Sequence, residues 1–421
     1  MLHAPVTIQE PLVDTTLPNG VRVLVEPMPW LPTLSLTLQL PVGSVNDPEG
    51  GVGCAALLTE WLQRGAGDLD ARAYASVLDD LGVRRGGGVG RETMSLSAAF
   101  LERDAADVFG YLADQVRRPR LGDEEFAGVR QLALHDLAAI DDSPPQRLGE
   151  ALVDAYFASA HARSAYGERA DLERATPEGV RAELARRVGP EGAVLVVAGG
   201  GDAARTLELA EASFGGWRGG TATTPPPEVR PPHRRHVHAE GAQVQIGLCD
   251  GAVGPTDHGW YEQQIAMGVL DGNMGARLFT EVREKRGLAY SVGASTRLVR
   301  GHAYTVVRAG TTPERAGETL DVLIEQMRHL GAGVTLEEHA RAVRQLRSNM
   351  VMQNEASGAR AGRLAADVLH VGRPRPLAEI MDALEGVGLD RVNEWLAARP
   401  EPHPTVVTLG PRELVASDRA A

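Results

Sequence analysis

The stretch Ala276-Arg-Leu-Phe-Thr-Glu-Val-Arg-Glu-Lys-Arg-Gly-Leu-Ala-Tyr-Ser-Val292 decides how the rest of this 421-residue chain is read. Residues 276–285 read as a short helix. Gly287 ends it, and Tyr290-Ser-Val-Gly-Ala-Ser-Thr reads as a strand. A helix thus runs through a glycine turn directly into a strand.

Working outward, Val244-Gln-Ile-Gly-Leu-Cys reads as a strand and residues 261–270 as a helix. Downstream, a strand over 302–309 and helices over 313–330 and 335–353 follow, and Pro404-Thr-Val-Val-Thr-Leu forms a last strand. The first half of the chain has the same plan. Asn19-Gly20 is a hairpin turn signal between extended runs, and Leu34-Ser-Leu-Thr-Leu-Gln-Leu alternates as a strand does. Gly50-Gly-Val-Gly precedes an apolar helix over 54–63. Helical stretches follow at 70–81, 104–117 and 123–141, and Ala193-Val-Leu-Val-Val-Ala reads as a buried strand. Between the halves, residues 218–240 are rich in Pro, Gly and His. Such a stretch holds no helix and offers little to a sheet, so it reads as a linker. The expected organisation is an α+β chain of two homologous halves, 1–217 and 241–421, each a mixed or antiparallel sheet with helices on one face. The repeat period of about 200 residues is far longer than that of solenoid repeats.

Composition narrows the function classes. With 56 acidic against 43 basic residues, the formal charge of −13 argues against nucleic-acid binding and mildly favours cationic peptides. The two cysteines, Cys54 and Cys249, have no C-x-x-C partner, so neither a zinc knuckle nor a disulfide framework is expected. No apolar run is long enough to span a bilayer. Met1-Leu-His-Ala-Pro-Val lacks the basic and apolar regions of a signal peptide, so a cytoplasmic location is the expectation.

The stretch from Ala276 to Val292 resembles the C-terminal signature of the pitrilysin, or insulinase, metallopeptidase family. Leu17-Pro-Asn-Gly-Val-Arg-Val looks like that family's opening hairpin. Gly43-Ser-Val-Asn-Asp-Pro-Glu-Gly resembles the loop before its zinc helix, and Asp142-Ser-Pro and Tyr166-Gly resemble the stretch beyond its third ligand. Catalytic members carry H-x-x-E-H on that helix. Histidines four apart lie on one helical face and both reach zinc, while the glutamate takes a proton from the metal-bound water.

Anchored on Trp61-Leu-Gln-Arg-Gly, the resemblance places the first histidine at Ala56, the base at Thr59, the second histidine at Glu60 and the third ligand at Asp136, beside His135. Alanine cannot ligate, threonine is a poor base near neutral pH, and two carboxylates without histidine make a poor zinc site. No other H-x-x-E-H or H-E-x-x-H occurs in the sequence. No cofactor is therefore expected on this chain.

The family also uses an arginine and a tyrosine, seven residues apart, to bind substrate carbonyl oxygens and steady the oxyanion. They match Arg283 and Tyr290 here. The bland alternative pairs Arg283 with Glu281 or Glu284 and packs Tyr290 in a core. A chain that keeps this pair and lacks the metal set resembles the non-catalytic half of the family's heterodimeric bacterial members. The resemblance implies a partner bearing H-x-x-E-H and zinc, with Arg283 and Tyr290 acting in trans on a peptide; a homodimer would be inert. Two other readings are a purely structural or peptide-binding homologue, and an autonomous peptidase using Glu60, Asp136 and His135 around an atypical metal.

Three weaker signals remain in the sequence. Gly86-Gly-Gly-Val-Gly reads first as a turn, although the matching strand edge of catalytic relatives holds peptide by strand addition. Gly199-Gly-Gly lacks the G-x-G-x-x-G spacing of a nucleotide loop. His233, His236 and His238 read as solvated linker residues rather than metal ligands.

Overall fold

The computed structural model describes residues 11–414, so the N-terminal hexapeptide read above for a leader lies outside the described residues. Eleven strands are described: β1 (Val13–Thr16), β2 (Arg22–Pro27), β3 (Thr33–Leu40), β4 (Arg84–Val89), β5 (Met94–Leu101), β6 (Val194–Gly199), β7 (Arg234–His238), β8 (Val244–Ala252), β9 (Ala289–Val299), β10 (His302–Thr311) and β11 (Thr405–Gly410). They form a six-stranded sheet in the order β1-β2-β6-β3-β5-β4 and a five-stranded sheet in the order β7-β11-β8-β10-β9.

Leaving β1 aside, the two orders are the same when each half counts its own strands: first, fifth, second, fourth, third. The pairing senses also agree. β2 runs parallel to β6 as β7 does to β11, and the remaining neighbours are antiparallel. The chain is therefore an α+β protein of two homologous halves.

Each sheet carries helices of its own half on one face. In the first half, the helices Cys54–Trp61 and Ala105–Arg117 pack Leu57, Leu58, Trp61, Val108 and Phe109 against Leu34, Leu36, Leu38 and Leu96. In the second, Trp260–Asp271 and Ala316–His329 pack against Val244, Ile246 and Leu248. The opposite faces are covered by exchange. The helix Pro144–Tyr156 leaves the first half and lays Leu148 and Leu152 on Cys249, Val306, Val407 and Leu409 of the second sheet. The helix Ser357–Val371 returns the exchange, burying Ala361, Leu364 and Ala365 against Leu24, Val194, Val196 and Ala198. Burial of one such leucine contributes about 2 kcal/mol. Polar bonds fix the register of the second contact: Ser35 Oγ lies 2.8 Å from Ser357 Oγ, and Arg360 Nη1 lies 2.9 Å from Glu26 Oε1.

The segment between the halves departs from a plain linker. Residues 219–233 run mostly outside regular structure yet are tied to the first half, through Gly220 N to Val188 O (3.1 Å), Thr221 N to Arg186 O (3.1 Å) and Arg230 N to Tyr156 O (2.8 Å). Its last part, Arg234–His238, is β7, paired with β11. Its composition hid this because β7 is an edge strand with charged and imidazole side chains, as edge strands that must resist further pairing commonly have. His236 Nδ1 lies 3.0 Å from Thr408 Oγ1 and His238 Nε2 3.0 Å from Glu240 Oε1, so the two imidazoles serve local bonds.

Gly86-Gly-Gly is likewise strand, not turn. These glycines belong to β4, the outer edge of the first sheet, and the turn falls at Gly90, whose N–H reaches Thr93 O at 2.8 Å. A Cβ on Gly87 would lie 2.6 Å from Gln63 Nε2, so the strand runs against the end of the Gln63 side chain.

Candidate functional site

The helix Cys54–Trp61 begins at Gly53, in the left-handed conformation at φ +113°. Asp47, in the preceding loop, accepts from Gly53 N (2.8 Å) and Ala55 N (2.9 Å), satisfying donors that a helix start leaves open. Arg187 Nη1 reaches Asp47 Oδ1 at 3.0 Å, and both side chains are fully buried. Burial pushes the Asp47 carboxyl above its usual range, against the pull of Arg187 and the two backbone bonds. The same burial pushes the Cys54 thiol up to about 12, so it is no nucleophile near neutral pH.

This anchored helix brings Ala56, Thr59 and Glu60 to one cavity of about 490 Å³. The helix Asp123–Asp141 supplies Asp136 to it, and the β4 edge supplies Gly87, Gly88 and Val89. All four positions of the altered metal motif therefore converge in one place. Their chemistry does not suit zinc. Ala56 has no donor atom. Thr59 Oγ1 donates 2.7 Å to Ala55 O. Glu60 Oε1 accepts from Arg64 Nε at 2.8 Å, an ion pair one helical turn long. Asp136 is 58% exposed, its Oδ1 3.9 Å from His135 Nδ1. Among the described residues, no group of three or more His, Cys, Asp or Glu converges to hold a metal ion.

Arg283 and Tyr290 sit elsewhere; neither is among the residues lining that cavity. The expected short helix over 276–285 is for the most part a π-turn, Phe279–Glu284, with Lys285 N bonded to Thr280 O at 2.9 Å. Such wide turns are frequent at functional sites. Val282, Leu288 and Ala289 are buried, which turns Arg283 and Tyr290 outward; Tyr290 is 82% exposed. The Arg283 guanidinium carbon lies 4.9 Å from the Phe279 ring centroid and 4.8 Å from that of Tyr290. Glu281 pairs instead with Lys285 Nζ (2.6 Å) and Arg286 Nη1 (2.5 Å). Arg283 has no carboxylate partner among the described residues, and Tyr290 is in no core. The bland alternative for this pair therefore fails on both counts.

Sequence reasoning passed over two groups. One is the Asp47–Arg187 pair. The other joins the halves beside the cavity: His161 Nε2 lies 3.3 Å from the buried Glu92 Oε1, and Glu92 Oε2 accepts from Arg300 N at 2.9 Å. Arg300 and Gly301, at φ +38° and +78°, make the tight turn between β9 and β10, so Glu92 grips the tip of that hairpin. Partners so far apart in sequence leave no local signal.

Comparison with known proteins agrees with this geometry. Residues 22–168 match Insulinase (Peptidase family M16), and residues 174–346 match the Peptidase M16 inactive domain. The chain belongs to the insulinase family of peptidases. It is 27% identical over 391 residues to an uncharacterized zinc protease of Mycobacterium tuberculosis, covering 90% of this chain and 88% of that one. It is 26% identical over 414 residues to an uncharacterized zinc protease of Streptomyces coelicolor, covering 94% and 89%. In fold it is similar to a peptidase M16 inactive domain from Pseudomonas fluorescens, with TM-score 0.87, 21% identity and coverage of 97% and 99%. A protease from Helicobacter pylori superposes with TM-score 0.86 at 18% identity, covering 96% and 100%. Among the described residues, no helix is long and apolar enough to cross a membrane.

Proposed function

We propose that this chain is the non-catalytic subunit of a two-chain zinc-dependent peptidase and lends Arg283 and Tyr290 to a partner's active site. The observation that carries the reading is the contrast between two places on one molecule. The cavity at the altered metal motif offers carboxylates but no imidazole, with Glu60 committed to Arg64 and Thr59 to Ala55. The Arg283–Tyr290 pair stands outward, stacked, and without a carboxylate partner among the described residues.

An H-x-x-E-H helix of the partner would hold the zinc, which would supply the activated water. The contribution of this chain is binding and charge. Arg283 offers fixed donors to a substrate carbonyl oxygen, and Tyr290 donates its hydroxyl to the oxygen on which negative charge develops. The stack fixes the guanidinium plane before substrate arrives, which limits the ordering cost on binding. The outer edge of β4 has unpaired backbone groups lining the cavity, and these suit a peptide added as a further strand.

The test is reconstitution. Peptidase activity and zinc content are measured for this chain alone, for a homologue bearing H-x-x-E-H, and for the mixture. A metal-free, inert lone chain together with a mixture faster than the homologue alone supports the proposal. Stoichiometric metal and peptide cleavage by the lone chain would overturn it.

A further inference from the structure

A second cavity, of about 440 Å³, lies over the second sheet between the helix Pro144–Tyr156 and edge strand β9. It exists because this face of β9 and β10 carries small side chains. Ser291, Gly293 and Ser295 alternate along β9, opposite Gly310, Arg308 and Val306 of β10. The helix from the first half seals β8 and β11 with Leu148 and Leu152 but leaves the ground above β9 open.

Two arginines line this space. Arg297 stands opposite Tyr304 in the β9–β10 register, and Arg308 lies four residues beyond Tyr304 on the same face. Neither donates a hydrogen bond or forms an ion pair with any described residue. Arg308 is half-buried, reaching toward the helix at Gly149, where a Cβ would stand 3.7 Å from its Nη1. A guanidinium withdrawn from water without a counter-charge is costly. Burial, and then the like charge of Arg297, pull the Arg308 pKa below its usual value. The carboxylates nearby do not relieve it. Asp271 lines the cavity but accepts from Ala294 N at 2.6 Å, and Glu150 is held by Arg91 at 2.8 Å. On a chain with a formal charge of −13, this is a local cationic spot facing an empty space.

We infer that this cavity is a subsite for a carboxylate of a bound peptide, taken by Arg297 and Arg308 while Ser291 and Ser295 leave room for it. The carboxylate belongs to an acidic side chain or to the peptide's C-terminus, and the planar guanidinium fork suits either. β9 begins at Ala289-Tyr290, and Ser291 of the cavity lining is the next residue along it, so the cavity adjoins the place where Tyr290 stands. The inference rests on the reading of this chain as a peptide-binding half of a peptidase.

Binding to the lone chain tests it without any partner, so failure of partner activation and failure of this subsite are separable. Three fluorescent hexapeptides of otherwise identical sequence serve as probes: one with a central Glu and amidated end, one with Gln in its place and amidated, and the Gln peptide with a free C-terminal carboxylate. By anisotropy, one or both carboxylate-bearing peptides bind about tenfold tighter than the neutral one, as expected for one charge-assisted contact. The arm that gains identifies the source of the carboxylate. Arg297→Gln and Arg308→Gln remove the preference, and Arg308→Lys retains part of it. Circular dichroism and Tm verify that each variant is folded; if Arg308→Gln does not fold, the exposed Arg297→Gln decides. Equal affinity for all three peptides, or a preference that survives in a folded Arg297→Gln, overturns the inference.

Discussion

The Arg283 guanidinium carbon lies 4.8 Å from the centroid of the Tyr290 ring, with the Phe279 ring 4.9 Å from the same carbon. The π-turn at Phe279–Glu284 is what sets this arrangement, because it turns Arg283 outward next to the buried Val282. Arg283→Ala is expected to lower kcat/KM of the reconstituted pair by about 10- to 100-fold, the scale of losing a charged hydrogen-bond donor to the substrate carbonyl. Tyr290→Phe keeps the stack and removes the oxyanion donor, and is expected to lower kcat by about 100- to 1,000-fold. Because both side chains are exposed, Tm of each variant stays within about 2 °C of the parent. Unchanged turnover in both variants would remove the in-trans role.

Ala56, Thr59, Glu60 and Asp136 already share one cavity, so metal binding is expected to be a matter of side chains and not of backbone. The fourfold variant Ala56→His, Thr59→Glu, Glu60→His, Asp136→Glu restores two imidazoles one turn apart and a carboxylate facing them. Elemental analysis after dialysis should give close to one zinc per variant chain and almost none for the parent. A variant that folds yet stays metal-free would mean that the helix Cys54–Trp61 and the helix Asp123–Asp141 are held too far apart.

Leu364 is the centre of the contact by which the helix Ser357–Val371 covers the first sheet. Leu364→Ala is expected to destabilise the whole chain by about 2–5 kcal/mol. Since the helix and the sheet belong to different halves, urea unfolding followed by tryptophan fluorescence and by circular dichroism should shift together. Separate transitions would show that the halves unfold independently.

Arg277 binds Glu338 Oε1 at 2.7 Å and Oε2 at 2.9 Å, and this hydrogen bonding holds the Glu338 carboxyl down to about 2. Its folded pKa lies below its unfolded one, so its contribution is complete above the unfolded value and is lost as pH falls toward the folded value. After discounting for solvent screening, Glu338→Gln is expected to cost about 1–2 kcal/mol at pH 7. Urea titrations should show the difference between parent and variant shrinking between pH 4.5 and pH 2. A difference independent of pH would assign the loss to packing.

Much of the fold was legible because its signals are local. Asn19-Gly20 marks the hairpin between β1 and β2, and Ala193-Val-Leu-Val-Val-Ala marks the buried β6, which lies between β2 and β3. The positions of the altered metal motif were legible for the same reason, since three of them lie on one short helix. What stayed hidden depends on partners distant in sequence or on context. Gly86-Gly-Gly looks like a turn until Gln63 is seen against Gly87, and Arg-Arg-His-Val-His has no strand pattern until β11 lies beside it. The Asp47–Arg187 pair, which anchors the helix Cys54–Trp61, spans 140 positions, and no periodicity reports such a contact. Residues 276–285 read as helix because sequence pattern does not separate a π-turn from an α-turn.

The exchange of helices between the halves has a consequence for how the molecule can be divided. Cleavage among residues 219–233 would leave each fragment holding the cover of the other's sheet and lacking its own. Neither piece would be a finished domain, yet each would carry what the other needs to close. Two such fragments would be expected to find each other again by complementation. In this sense the protein is an obligate dimer of half-length subunits that a peptide bond has made inseparable.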